Sequence, residues 1–332
     1  MQLDFLAIGD IVTEPFIRLK EASVHCKINN EACEICMRWG DKIPYEYEVP
    51  MYAVGNSANA AVSAARLGLK ASLRTYVGDD EAGTQCLETL TKEHVDTSLM
   101  VTEAGKKTNH HFVLWYETER TILVKHEEYT YSVPPIVEGP KWVYLSSLAA
   151  NSLPYHLALA EWLRTVPDTK LAFQPGTFQI KLGVETLKDI YMRTELFVCN
   201  KEEAERILGV EPTTEIKKLL TGLQALGPKI VIITDDRRGA YALSSAGTAW
   251  YVPMYPDARA PFERTGAGDA FASSVTAALA IGKSLEEALL WGPINAMSVV
   301  QDVGAQKGLL TREQLEMYLH TAPKEYALSP LA

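Results

Sequence analysis

Short apolar runs rich in Val, Ile and Leu recur along the chain at residues 3–8, 72–77, 142–145, 171–173, 196–199 and 230–234. Runs of this kind are the pattern of strands buried on both faces. Between them lie stretches with helical spacing, among them 58–67, closed by Gly68, and 202–208, closed by Gly209. Glycine at such a place relieves the left-handed turn at a helix end. Strand and helix in alternation predict an α/β fold whose sheet is mostly parallel and covered on both sides.

Two segments break the rhythm. Residues 14–54 are long and mixed in character, and 110–125 read as a hairpin in which 111–115 and 121–124 flank a charged turn at 117–120. Strands inserted between αβ units tend to form a separate small sheet. Segments 14–54 and 109–125 are therefore expected to make a lid over the carboxyl edge of the main sheet, where open α/β sheets bind ligands, within one domain spanning 1–332. Exposed lid edges call for a partner, which predicts a homodimer sealed through the lids. Residues 329–332 are expected to fray.

Composition narrows the class. A chain of 332 residues, 47% hydrophobic and 22% charged, buries a large core. Its net charge of -10 argues against a nucleic-acid backbone as principal partner. The start, with Asp4 and then Gly9-Asp10, does not read as a signal peptide, and no run approaches the ~20 apolar residues of a membrane span. An odd count of five cysteines points to a reducing cytoplasm and to unpaired thiols. The group His25, Cys26, Cys33, Cys36 contains a CxxC, the spacing of half a zinc site or of a redox pair, but no second CxxC accompanies it.

The sharpest chemical signal is Arg264-Thr265-Gly266-Ala267-Gly268-Asp269-Ala270-Phe271, which runs into a small-residue helix at 272–280. Glycines ahead of a helix let backbone amides point into one concavity, and the helix dipole adds partial positive charge there. That concavity suits a phosphoryl group in transfer, with Asp269 at its mouth accepting the proton of an attacking hydroxyl. The dipole is expected to keep this carboxylate ionised. The same residues also read as an aspartate N-cap after a glycine turn. Phe271 rules out a dinucleotide fingerprint, and Ala277 ahead of Gly282-Lys283-Ser284 rules out a Walker A loop.

The string resembles the C-terminal signature of the ribokinase-like (PfkB) carbohydrate kinases, DTxGAGD, matched by Thr265 to Asp269, with Glu263 and Arg264 in place of Asp and a small hydroxyl residue. The resemblance extends to Val54-Gly55-Asn56-Ser57-Ala58-Asn59-Ala60-Ala61, Ala65-Arg66-Leu67-Gly68 and Val77-Gly78-Asp79-Asp80-x-x-Gly83, which look like the N-terminal signature. It implies a three-layer αβα sandwich with a small β-sheet lid, ATP as phosphoryl donor, Mg2+, and in some members a monovalent cation such as K+ at the loop of Glu263 and Arg264.

Carried over residue by residue, the resemblance makes Asp269 the general base and the Gly266, Ala267 and Gly268 amides the anion site. It assigns Asp10, Glu14, Gly55, Asn56 and Asn59 to the substrate. Gly55 permits close backbone approach, and Asn56 and Asn59, one turn apart, offer donors and acceptors to hydroxyls, although asparagines at a helix start also serve as caps. Arg120 in the lid turn is placed to meet a substrate carboxylate or phosphate. Asn200 and Glu203 match an NxxE motif, with Glu203 bearing on Mg2+ through water.

Thr234 to Gly239 resembles a TxGxxG nucleotide loop with Asp236 in place of the middle glycine and Arg237 and Arg238 beside it. Asn295 and the run Gly304-Ala305-Gln306 look like the adenine-side segment. Gln174-Pro175-Gly176, at a strand end facing the same edge, stays outside the expected site.

The leading expectation is an ATP-dependent kinase acting on a hydroxyl of a sugar or sugar derivative, because Asp10, Glu14, Asn56 and Asn59 form a polar set suited to several hydroxyls. Trp39, Trp115 and Tyr116 keep open a nucleoside kinase on the same fold. A third reading is a catalytically silent sugar-binding or regulatory protein.

Overall fold

The computed structural model describes residues 2–26, 33–117 and 119–331. Residues 27–32 of the expected lid, Thr118 of its charged turn and Ala332 of the tail lie outside the described residues. Among the described residues nine strands form the main sheet, in the order Ser329–Pro330, Ala249–Val252, Ala240–Leu243, Ile230–Thr234, Leu196–Asn200, Lys170–Phe173, Trp142–Leu145, Phe5–Ile8 and Ala71–Arg74. From Ala71–Arg74 to Ile230–Thr234 the pairing is parallel, and the remaining strands add on antiparallel.

Period-2 alternation explains why these strands are apolar throughout. Phe5, Ala7, Tyr144, Val198 and Ile232 enter a hydrophobic cluster on one face, while Leu6, Ile8, Leu145, Phe197 and Ile233 enter another on the opposite face. Helices Asn56–Arg66, Ala267–Ala280 and Leu285–Val299 cover the first face, and Leu153–Thr165 and Ile216–Ala225 the second. The result is a three-layer αβα sandwich.

The expected strand 72–77 is two strands. Ala71–Arg74 stays in the main sheet, and Tyr76–Gly78 pairs with Val101–Glu103. The tail is not frayed: Ser329 and Pro330 pair with Tyr251 and Trp250, and the Leu331 amide donates to the Ala249 carbonyl at 3.0 Å. Proline is tolerated there because the strand is an edge.

A second sheet runs in the order Glu119–Lys125, His110–Tyr116, Val12–Leu19 and Tyr45–Val54. Val12–Leu19 follows the carboxyl end of Phe5–Ile8 after only Gly9, Asp10 and Ile11, so this sheet rises from the carboxyl edge of the main one. Arg120 stands opposite Trp115 in its hairpin, and Leu123 opposite Phe112.

Between Val12–Leu19 and Tyr45–Val54 a ribbon pairs Ser23–His25 with Glu34–Cys36. This corrects the expectation of unpaired thiols. Because His25 faces Glu34, the next positions, Cys26 and Cys33, face each other and are joined by a disulfide. Strand alternation turns Cys36, opposite Ser23, away from that pair. Among the described residues no group of three or more His, Cys, Asp or Glu side chains is placed to hold a metal ion, and no helix is long and apolar enough to cross a membrane.

Candidate active site

Asp269 stands in the first turn of the Ala267–Ala280 helix. It does not cap that helix through its side chain. Gly266 occupies the N-cap at φ 80, a conformation glycine adopts at no steric cost, and a side-chain carbon there would come within 2.4 Å of Ala305 Cβ. Gly268 opens onto free space, since a side-chain carbon would meet nothing nearer than Gln174 Nε2 at 4.0 Å. The turn thus presents first-turn amides and the positive end of a helix beside an acidic side chain.

Three amides converge on that side chain. Asn56 Nδ2 donates to Asp269 Oδ1 at 2.7 Å, Asn59 Nδ2 to Oδ2 at 2.8 Å, and Gln174 Nε2 to Oδ1 at 3.1 Å. Asn56 and Asn59 come from the start of the Asn56–Arg66 helix, whose N-cap Gly55 has φ 114 and lies close to the Asp10 carbonyl. Burial pushes the Asp269 carboxyl above the ordinary carboxylate range, opposed by the three amide hydrogen bonds and reinforced by the negative charge of Glu14.

Gln174 belongs to this cluster, although the sequence left it aside. It follows the strand Lys170–Phe173, and its Oε1 accepts a short hydrogen bond from Tyr144. Gln306, expected in the adenine-side segment, also joins this cluster. Its Nε2 donates to the Ala53 carbonyl at 2.7 Å and to Asn59 Oδ1 at 3.0 Å, so it serves the Asp269 side of the site and not an adenine side. The signal for both was a polar residue close to a glycine in a short connecting segment, too common to select them without coordinates.

Asp10 lies at the junction of the two sheets, buried to 5% exposure. Its Oδ2 accepts from the Tyr131 hydroxyl at 2.7 Å and the Ala149 amide at 2.8 Å, while its buried Oδ1 has no partner. Burial pushes the carboxyl up to about 6. Glu14, on Val12–Leu19, meets His111 Nδ1 at 3.1 Å. The other nitrogen of His111, Nε2, is buried and unpartnered, and its ring packs edge-on against His126.

Arg120 meets a protein carboxylate. Its Nη1 donates a short hydrogen bond to Glu263 Oε1, so the guanidinium is engaged by the loop before Gly266. Trp115 is likewise engaged, buried at 6% exposure between Arg18, Tyr47 and Phe262.

A cleft of about 930 Å³ adjoins the Ala267-Gly268 turn. Its polar end includes Asn200, Thr234, Asp236, Arg237, Gly239 and Arg264, and its apolar end Met254, Tyr255, Pro293, Ala296 and Met297. Asn200 and Glu203 form a reciprocal capping box at 2.8 and 2.9 Å that starts the Lys201–Leu208 helix. Burial pushes the Glu203 carboxyl up, and the charge of Asp269 adds to the shift. Asn295 does not line the cleft. It is fully buried between helices, donating to Ser274 Oγ at 2.8 Å and accepting from the Leu310 amide at 2.9 Å.

The Thr234–Gly239 loop explains its odd residue. Asp236 sits at φ 46, a position that favours glycine, and its carboxylate turns out to Arg264 at 3.4 Å. Arg238 does not serve as its counter-ion but chelates Asp235 at 2.6 and 2.7 Å.

The family described as "pfkB family carbohydrate kinase" matches residues 27–312. Ribokinase of Mus musculus is 29% identical over 287 residues, covering 80% of this chain and 83% of that protein. Among solved structures, Arabidopsis thaliana ribokinase complexed with ribose and ATP superposes with a TM-score of 0.80 at 18% identity, over 97% of this chain and 100% of that one. A nucleoside kinase of Methanocaldococcus jannaschii superposes at 0.75 and 18% identity, over 96% and 99%.

Proposed function

The chain belongs to the pfkB family of carbohydrate kinases, phosphotransferases with an alcohol group as acceptor, and from that premise we propose that it transfers the γ-phosphoryl of ATP to a hydroxyl of a sugar or sugar derivative, with Asp269 as general base. The observation that carries this reading is the convergence of Asn56, Asn59 and Gln174 on one carboxylate beside a helix start.

Asp269 Oδ1 already accepts from Asn56 and Gln174, whereas Oδ2 accepts only from Asn59 among these amides. Oδ2 is thus the less engaged of the two oxygens and has room for a further donor. The reacting hydroxyl therefore docks on Oδ2 and passes its proton there as its oxygen attacks phosphorus. A base whose affinity for protons is raised by burial is better matched to that task than an ordinary carboxylate. The amides of Gly266, Ala267 and Gly268, with the helix dipole behind them, stabilise the charge on the transferred phosphoryl.

The remaining hydroxyls of the acceptor meet Asp10 Oδ1, Glu14 and the free nitrogen of His111. All lie on or beside the second sheet, which acts as a lid of segments 14–54 and 109–125 and excludes water as a competing acceptor. The nucleotide occupies the cleft, base toward Met254, Tyr255, Pro293 and Met297, and phosphates toward Thr234, Gly239 and Gly268.

Glu203 and Asp269 are like charges close enough to raise a proton affinity, and a divalent cation relieves that repulsion. Glu203 would hold Mg2+ through water, because its Oε2 is engaged by the Asn200 amide. When bound, Mg2+ neutralises charge on the triphosphate. Of the aromatic residues that keep a nucleoside open, Trp115 is packed away while Trp39 is exposed, and the sugar reading rests on the polar set around Asp10 and Glu14.

The test is ATP-to-ADP turnover across pentoses, hexoses, sugar acids, sugar phosphates and nucleosides, with Asp269→Asn in parallel. Turnover with a sugar, lowered by several orders of magnitude in the variant, is expected. Equal turnover by the variant removes the base assignment. Preference for a nucleoside replaces the acceptor class, and turnover with no acceptor turns the reading toward a silent binding protein.

A further inference from the structure

Two adjacent contacts tie the lid to the loop that leads into Asp269. Trp115 and Arg120 stand opposite each other in the lid hairpin. The Trp115 ring packs edge-on against Phe262 at 5.4 Å, and Arg120 reaches the next residue, Glu263. Glu263 is only 7% exposed and is the organising centre of its loop. Its Oε1 accepts from the Thr265 amide at 2.7 Å and from the Thr265 hydroxyl, and its Oε2 from the Gly304 amide at 3.3 Å. Gly266 then packs against Ala305, so Glu263 pins both strands of the turn from which the Gly266–Gly268 amides project.

A buried carboxylate needs a counter-charge as well as hydrogen bonds, since an unpaired one is neutralised by protonation or draws in a cation. The neighbouring guanidinium does not supply that charge, because Arg264 turns out to Asp236. Arg120 supplies it, and it comes from the other sheet. No direct contact links Arg120 to Asp269, so its influence on the reaction runs through the shape of the loop.

We propose that Arg120 is a positioning residue: the lid delivers the counter-ion of Glu263, so the amide cradle for the transferred phosphoryl is fully ordered only when the lid is seated. This rests on the phosphoryl-transfer reading given above. It couples enclosure of the acceptor to competence for transfer, and it means that Glu263 needs no mobile monovalent cation.

The experiment combines turnover with amide hydrogen exchange on the full chain, for wild type, Arg120→Ala, Glu263→Gln and the double variant. Arg120→Ala is expected to lower kcat about 30- to 100-fold with little change in the KM for acceptor, the scale of a small misplacement of reacting groups. Added guanidinium should restore much of it, and wild-type turnover should be the same in sodium and potassium buffers. In the Glu263→Gln background, where no charge needs balancing, removing Arg120 should cost less than about twofold.

Exchange of the Thr265, Gly266 and Gly304 amides should accelerate in Arg120→Ala and return toward the wild-type rate with guanidinium. A kcat within twofold of wild type, a loss confined to acceptor KM, or unchanged amide exchange overturns the proposal. If wild type turns over no acceptor, the kinase reading fails, and the exchange rates alone still decide whether Arg120 orders the loop.

Discussion

Gln306 Nε2 lies 3.0 Å from Asn59 Oδ1, and this contact fixes which end of the Asn59 amide faces Asp269. The Gln306 nitrogen is identified by its bond to the Ala53 carbonyl at 2.7 Å, which only a donor can make. Asn59 must then present oxygen to Gln306 and its Nδ2 to Asp269 Oδ2. The orientation of a group that touches the proposed base is thereby set from the far end of the chain.

Gln306→Ala frees the Asn59 amide to rotate and leaves the Ala53 carbonyl without this donor. The expected result is a kcat lowered about 10- to 100-fold with the KM for ATP little changed, since misorientation near the reacting atoms is costly. Gln306→Glu, an acceptor where a donor is needed, should be worse. Steady-state kinetics of the two variants check this, and an unchanged kcat in both removes Gln306 from the site.

The same contact shows where the sequence stopped being informative. Buried strands and helix ends were legible because they depend on local composition, as at 142–145 and 230–234, which match the observed strands. The strands Ala240–Leu243 and Ala249–Val252 carried no such signal, being four residues each and stabilised by pairing with neighbours. In the site, motif spacing pointed to Asp269, Asn56 and Asn59, but not to their mutual hydrogen bonds. Gln174, Gln306 and the engagement of Arg120 by Glu263 are products of tertiary contact across 95 to 247 residues. The Cys26–Cys33 disulfide was missed because a cysteine count says nothing of register.

Asp10, in the proposed acceptor site, is a buried carboxyl held at a cost in stability. Its folded carboxyl is raised from the usual 3.8 to about 6, so the folded state binds this proton more tightly than the unfolded one. By linkage its contribution is most favourable below the unfolded value and is lost as pH rises through the window between them. Asp10→Asn keeps an oxygen for Tyr131 and Ala149 and removes the buried charge. It should raise Tm at pH 7 to 8, by at most about 3 kcal/mol of stability, and leave it nearly unchanged near pH 4, while weakening acceptor binding. Calorimetry at the two pH values checks the sign, and a lower Tm at pH 8 rejects the account.

Asp236 combines a backbone strain with a negative charge at the polar end of the cleft. A non-glycine residue in the left-handed region costs about 1 kcal/mol or more, and the exposed pair with Arg264 returns little. Asp236→Gly should stabilise the protein and lower the KM for ATP several-fold. Asp236→Asn removes the charge and keeps the strain, so it should reproduce the change in KM without the gain in Tm. If the glycine variant alone lowers KM, loop geometry and not charge is the cause.

The outer face of the second sheet, the proposed lid, has an apolar pair in the open. Phe112 and Leu123 stand opposite one another at 43% and 53% exposure, on the hairpin whose Glu119–Lys125 strand forms one edge of the sheet. On the inner face of the same hairpin, Val113 is fully buried. Apolar side chains grouped on an exposed sheet beside an unpaired edge favour association, and a second copy of the same sheet is the simplest cover for both. A homodimer through the lids is therefore expected at micromolar concentration. Leu123→Glu sets like charges against each other across a two-fold contact and should yield a monomer with its fold intact, read as half the mass by light scattering with unchanged circular dichroism. A monomeric wild type, or a variant that stays dimeric, places any association elsewhere on the molecule.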